Sequence, residues 1–200
     1  MIRTLTLLIL AALITSCTSF SPALNTEAKP NPAMGYIYGR FTFVQSEKTF
    51  THLHMGVRLE ELNQKKSYTL QFIQEDRPAI IAVAPGMYSI KKLIFSSAEY
   101  EKLGEKILKP SPLTQTFLVS AGKAYYIGDF GGEWASIDGL NAPGISWKRQ
   151  AWRLNRLHDR FEYTTQDLKS HYPNLQSLEF IHALTISLNN SSRADRHESQ

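Results

Sequence analysis

The chain has 200 residues, 42% of them hydrophobic, and 22 Lys and Arg stand against 18 Asp and Glu, a formal charge of +4 at neutral pH with histidine neutral. So mild an excess excludes a nucleic-acid binder built on clustered positive charge, and a single cysteine excludes an internal disulfide framework. The length suits one domain whose core is held by packing alone.

At the start of the chain, Arg3 precedes an apolar run from Leu5 to Ile14 that is interrupted only by Thr6. A run of this length fits the apolar core of an export leader, whereas a spanning helix needs about 20 residues. Thr15 and Ser16 supply small residues before Cys17. The stretch Leu13-Ile14-Thr15-Ser16-Cys17 resembles the lipobox of bacterial lipoprotein precursors. The resemblance implies that residues 1–16 are removed as a signal peptide and that Cys17 becomes an acylated (palmitate-bearing) first residue. It also implies a membrane partner reached through lipid. With Thr18 rather than aspartate after the cysteine, it implies the outer membrane of a two-membrane cell envelope, facing the periplasm. The bland alternative is an ordinary secretory leader with an incidental cysteine.

Without its first 16 residues the chain keeps 184, with 21 basic against 18 acidic. Residues 17–33 form the lipidated N-terminus and a flexible tether, because residues 18–33 carry three prolines among small and polar side chains. Residues 34–188 are the expected folded domain. Residues 189–200 (NNSSRADRHESQ) hold one alanine as their only apolar residue and read as a disordered tail.

Within the domain, alternation with a period of two dominates. A strand is expected over 35–43, where Tyr36 and Tyr38 either extend an aromatic surface or pack under a helix. Leu53, Met55, Val57 and Leu59 alternate with His52, His54 and Arg58, and Tyr68, Leu70 and Phe72 repeat the pattern. Ala79 to Val83 is a continuous apolar run, suited to a strand covered on both faces. A turn at Ala84-Pro85-Gly86 leads into a strand over 87–95. Residues 96–113, with Gly104, Pro110 and Pro112, read as a surface excursion. A hairpin joins 116–119 to 124–130, and 128–144 reads as a long glycine-containing loop. The first half of 145–163 is expected as strand. Thr165 is expected to cap a short helix that Pro173 ends, and Leu178 to Leu188 forms a closing strand.

The run Ala-Pro-Gly-Met-Tyr-Ser-Ile (84–90), followed by Val-Ser-Ala-Gly-Lys-Ala-Tyr-Tyr-Ile-Gly (119–128), is similar to prealbumin-like domains. Such domains occur in carboxypeptidase-regulatory-like modules and in bacterial lipoproteins. The resemblance implies a mainly β fold, an antiparallel β-sandwich of the prealbumin or Ig-like kind, here with one short C-terminal helix. It carries over no site residue.

Candidate chemistry is sparse. His52 and His54 share one strand face and are the candidate metal pair, but no third ligand has recognisable spacing, so no metal and no cofactor is expected. Asp129, Glu133 and Asp138 fall in the glycine-rich segment without the spacing of a calcium loop. No Gly-x-Ser-x-Gly elbow, phosphate loop or Cys-x-x-Cys pair is present. The densest basic-aromatic run is Trp147, Lys148, Arg149, Trp152, Arg153 and Arg156, a candidate binding surface for acidic glycan or anionic lipid. The expectation is a non-catalytic binding or assembly accessory with a protein partner in the envelope. The alternatives are a small envelope hydrolase or metal-dependent enzyme, and a glycan- or peptidoglycan-binding module.

Overall fold

A computed structural model describes residues 23–45, 54–72, 76–96, 104–107, 116–142 and 145–183. Cys17, His52, the last residues of the expected closing strand and the tail 189–200 lie outside the described residues. Among the described residues, ten strands and one α-helix follow in order: β1 (Gly35–Gln45), β2 (His54–Glu61), β3 (Ser67–Phe72), β4 (Ala79–Val83), β5 (Gly86–Ser96), β6 (Gly104–Ile107), β7 (Phe117–Val119), β8 (Lys123–Ala142), β9 (Ile145–His158), α1 (Phe161–His171) and β10 (Glu179–His182). A 3-10 turn, Pro173–Leu175, follows the helix.

The strands make two five-stranded sheets. One runs β3-β2-β5-β6, with β7 joining β5 beyond β6, and every pairing in it is antiparallel. The other runs β10-β8-β1-β4, with β9 on β8. Here the expectation of a wholly antiparallel arrangement fails, because β1 and β10 both lie parallel to β8. Parallel neighbours need a crossover, and the chain supplies two: the other sheet lies between β1 and β8 in sequence, and α1 lies between β8 and β10.

Alternation decides which residues meet. Ile37 and Phe41, Met55, Val57 and Leu59, Leu70 and Phe72, Ile81 and Val83, and Ile127 and Phe130 belong to one apolar core drawn from both sheets. Tyr36, Tyr38, Ile80, Ala124 and Tyr126 leave the opposite face of the second sheet and meet Leu168, Tyr172, Leu175 and Leu178. Tyr36 and Tyr38 are therefore buried under the helix. β4 contributes to both clusters, as its unbroken apolar sequence requires.

Two segments depart from the sequence reading. The glycine-containing stretch expected as a loop is the far part of the 20-residue β8, and β9 pairs with it from His158 to Ile145. Hydrogen bonding to β9 along its length, and to β1 as far as Trp134, outweighs the poor strand propensity of its glycines. The excursion over 96–113 contains β6, paired antiparallel with β5.

Residues 23–34 of the expected tether region are tied to the body. The Leu24 N–H donates to the Ile80 carbonyl at 2.8 Å, covering the edge of β4, and the Gly122 N–H donates to the Met34 carbonyl at 2.8 Å. Asn174 Nδ2 donates to the Glu27 carbonyl at 3.2 Å.

Candidate functional site

Polar chemistry concentrates where α1 crosses the second sheet. Its placement begins with a β-bulge. Tyr38 pairs with Tyr126 but Arg40 pairs with Asp129, so β8 spends one residue more than β1 over this interval. Gly128 takes a φ of 119°. A Cβ on Gly39 would lie 2.6 Å from the Gly128 carbonyl oxygen, so the close approach needs a glycine there too. Without the extra residue, positions 126 and 129 would face opposite sides of the sheet. With it, Tyr126 and Asp129 both reach the helix face, beside Tyr38 and Arg40.

The helix answers with two adjacent threonines. Thr164 Oγ1 lies 2.9 Å from each carboxylate oxygen of Asp129 and donates to it, and the Tyr126 hydroxyl lies 2.9 Å from Oδ1. The same hydroxyl is 3.1 Å from the His158 carbonyl and accepts from the Arg160 N–H at 3.0 Å. Tyr38 and Thr165 share a hydrogen bond of 2.6 Å. Arg40 is paired with Asp167 and lies over the Tyr163 ring, 4.7 Å from its centroid. His182 Nε2 is 2.8 Å from Asp159 Oδ1, and its ring stacks edge-on against Phe161.

Burial sets the electrostatics of this cluster. It pushes the Asp129 carboxyl above its ordinary range, against the pull of Thr164, Tyr126, Arg40 and Arg160. It likewise raises the Tyr126 and Tyr38 phenols, holding both neutral. Neutral hydroxyls donating to a carboxylate satisfy buried polar atoms and fix the helix in position. Among the described residues, Arg40 Nε and Ser89 Oγ are the buried side-chain polar atoms without a partner.

Thr165 does not cap the helix. The cap position is Arg160, which offers no side-chain bond, and Thr165 sits a turn inside. The start is set instead by Tyr126, whose oxygen takes the Arg160 N–H, while both threonine hydroxyls are drawn to the sheet. Of these residues the linear pattern offered only Tyr38, with Tyr36, as packing under a helix, and it did not bring Arg40 or Tyr126 there. The available signal was the alternation Tyr36, Tyr38, Arg40 around a glycine.

The basic-aromatic run, Trp147 to Arg156, lies on β9. Lys148 is opposite Asp138, Arg153 opposite Glu133, and Trp152 opposite Trp134. Acidic and basic positions that read as separate candidates are thus cross-strand neighbours in one hairpin. Asp129 stands apart from Glu133 and Asp138, beneath the helix. His54 opens β2 in the other sheet, opposite Ser96. Among the described residues, no group of three or more His, Cys, Asp or Glu is arranged to hold a metal ion. No helix among them is long and apolar enough to cross a membrane.

One cleft, of about 350 Å3, opens where the described chain begins. It lies between Leu24 and Thr26, Arg77 and Pro78 ahead of β4, and His171 and Tyr172 at the end of α1. Burial raises the Tyr172 phenol while the charge of Arg77 pulls it back.

No family model matches the chain, and no curated protein matches it. Among solved structures, a leucine-rich repeat protein from Bacteroides thetaiotaomicron is similar over 53% of this chain and 14% of that one, at 13% identity and a TM-score of 0.35. A likeness at that level carries no argument about fold or function.

Proposed function

We propose that this chain is a lipid-anchored protein of the bacterial envelope, a β-sandwich body that presents the β8–β9 hairpin to a protein partner. The lipobox-like sequence ending at Cys17 supports the anchor. The apolar core shared by both sheets supports the sandwich.

The observation that carries the binding role is the reach of the hairpin. β1 accompanies β8 only as far as Trp134, and beyond it Ala135–Ala142 pairs with β9 alone among the described residues. Eight further residues extend a two-stranded ribbon by roughly 25 Å. Among the described residues nothing else pairs with either edge of this ribbon, which suits an extended segment of a partner adding as a strand.

Two measurements test this reading. Cys17→Ser is expected to move the protein from the membrane to the soluble fraction and to abolish palmitate labelling; retention in the membrane would overturn the anchor. Replacing residues 136–150 with Asn-Gly is expected to remove crosslinking to an envelope protein while leaving the anchor intact. Undiminished crosslinking would overturn the hairpin's role, and co-sedimentation with purified cell wall would favour the glycan reading.

A further inference from the structure

Only five residues, Thr18 to Pro22, separate Cys17 from Ala23, where the chain is already packed against the body. Fully extended, that connection spans roughly 20 Å. A body of this size has a radius of gyration of about 15 Å, so the connection is shorter than the body is wide. Once Cys17 is held in a bilayer, the surface around Ala23 cannot swing away from it.

That surface is the mouth of the cleft. Leu24, Pro78 and the Tyr172 ring supply apolar wall, and Thr26, His171 and Arg77 supply polar groups. The neighbouring acids are already engaged: Asp167 with Arg40 and His171, and Asp76 accepting from Thr42 Oγ1 at 2.9 Å. Among the described residues Arg77 is in no ion pair, and it is exposed. An unpaired guanidinium at the rim of a half-apolar cleft matches a phosphodiester with its glycerol backbone.

We infer that this cleft faces the bilayer and takes the headgroup of an anionic phospholipid, with Arg77 as its cation. The inference rests on the proposed anchor but specifies which side of the body meets the membrane. The headgroup contact is too weak to anchor by itself, since one basic residue near an anionic surface changes binding about fivefold. Its role is orientation: it sets the tilt at which the hairpin stands.

The anchored protein offers its own probe, because Cys17 is consumed by lipid and an added cysteine is the sole free thiol. Thr26→Cys at the cleft and Gln64→Cys in the β2–β3 turn, at the far end of β3 from Gln71, are labelled with a fluorophore. The proteins are reconstituted in vesicles of phosphatidylethanolamine and phosphatidylglycerol carrying a headgroup quencher. Quenching at position 26 and little at 64 is expected; equal quenching, or the reverse, overturns the inference. A second arm uses the mature chain with Cys17→Ser. There Arg77→Gln is expected to weaken vesicle binding about fivefold, and the charge-matched control Lys65→Gln to leave it unchanged. Equal losses would reduce the effect to net charge. Displacement by inorganic phosphate at constant ionic strength would assign the cleft to a soluble anion and overturn the lipid source. If the wild-type protein floats with vesicles but position 26 stays unquenched, the anchor survives and the cleft assignment alone fails.

Discussion

Asp129 is 4% exposed, and its carboxylate is met by the hydroxyls of Thr164 and Tyr126. Removing the side chain leaves the Thr164 hydroxyl without its Asp129 partner in a buried site and leaves the Tyr126 hydroxyl only the His158 carbonyl to donate to. Asp129→Ala is therefore expected to cost about 1–3 kcal/mol in urea unfolding, and Asp129→Asn, which keeps an acceptor in place, under about 1 kcal/mol at neutral pH. The pH dependence separates them further. Because burial raises the folded carboxyl above its ordinary value of 3.8, the native state binds more protons than the unfolded chain between those two values. Stability from this group thus rises as pH falls through that window, and wild type gains on Asp129→Asn there. Glu61 has the opposite sign. The Gln64 and Asn63 N–H groups donate to it and hold it below its ordinary value, so its contribution is lost as pH falls. Unfolding midpoints of both asparagine or glutamine variants across mildly acidic pH measure the two slopes; parallel slopes for wild type and Asp129→Asn would refute the assignment.

At the level of elements, α1 is weak on its own. It has 11 residues, two consecutive threonines, no side-chain cap and Leu168 as its buried aliphatic residue. Docking makes it: the threonines, poor in an isolated helix, are chosen by what lies beneath them. The bulge prepares that surface, which makes Gly39→Ala a sharp test. Its Cβ would collide with the Gly128 carbonyl, a backbone atom that cannot rotate aside, and a loss of about 2–3 kcal/mol is expected together with weaker helix signal at intermediate urea. An unchanged midpoint would mean that the bulge has slack. The same contrast explains what could be read from the sequence. β2, β3, β4 and β5 announce themselves through alternation or an apolar run, since each buries at least one face against its neighbours. The cluster under α1 does not, because one bulge residue shifts the register of β8 and a linear period cannot register that shift. The middle of β8 was hidden for a related reason: Gly131 and Gly132 look like a loop until β1 and β9 are placed on either side.

For the whole molecule, the side chains described in the two apolar clusters all come from residues outside 135–150. Replacing residues 136–150 with Asn-Gly is accordingly expected to leave the thermal midpoint within a few degrees of wild type. A collapse of the midpoint would show that the ribbon supports the body.

The parallel union of β1 with β8 has a consequence for biogenesis. Tyr36 meets Ala124, so the first strand emerging from a ribosome or a translocation pore has to wait for more than eighty later residues before its neighbour exists. All five strands of the opposite sheet arrive in the interval, and β10 seals the last open stretch of β8 only after the helix has passed. Sheets closed so late fold slowly and expose edges meanwhile. A nascent chain of this design is one that a holding chaperone would find open.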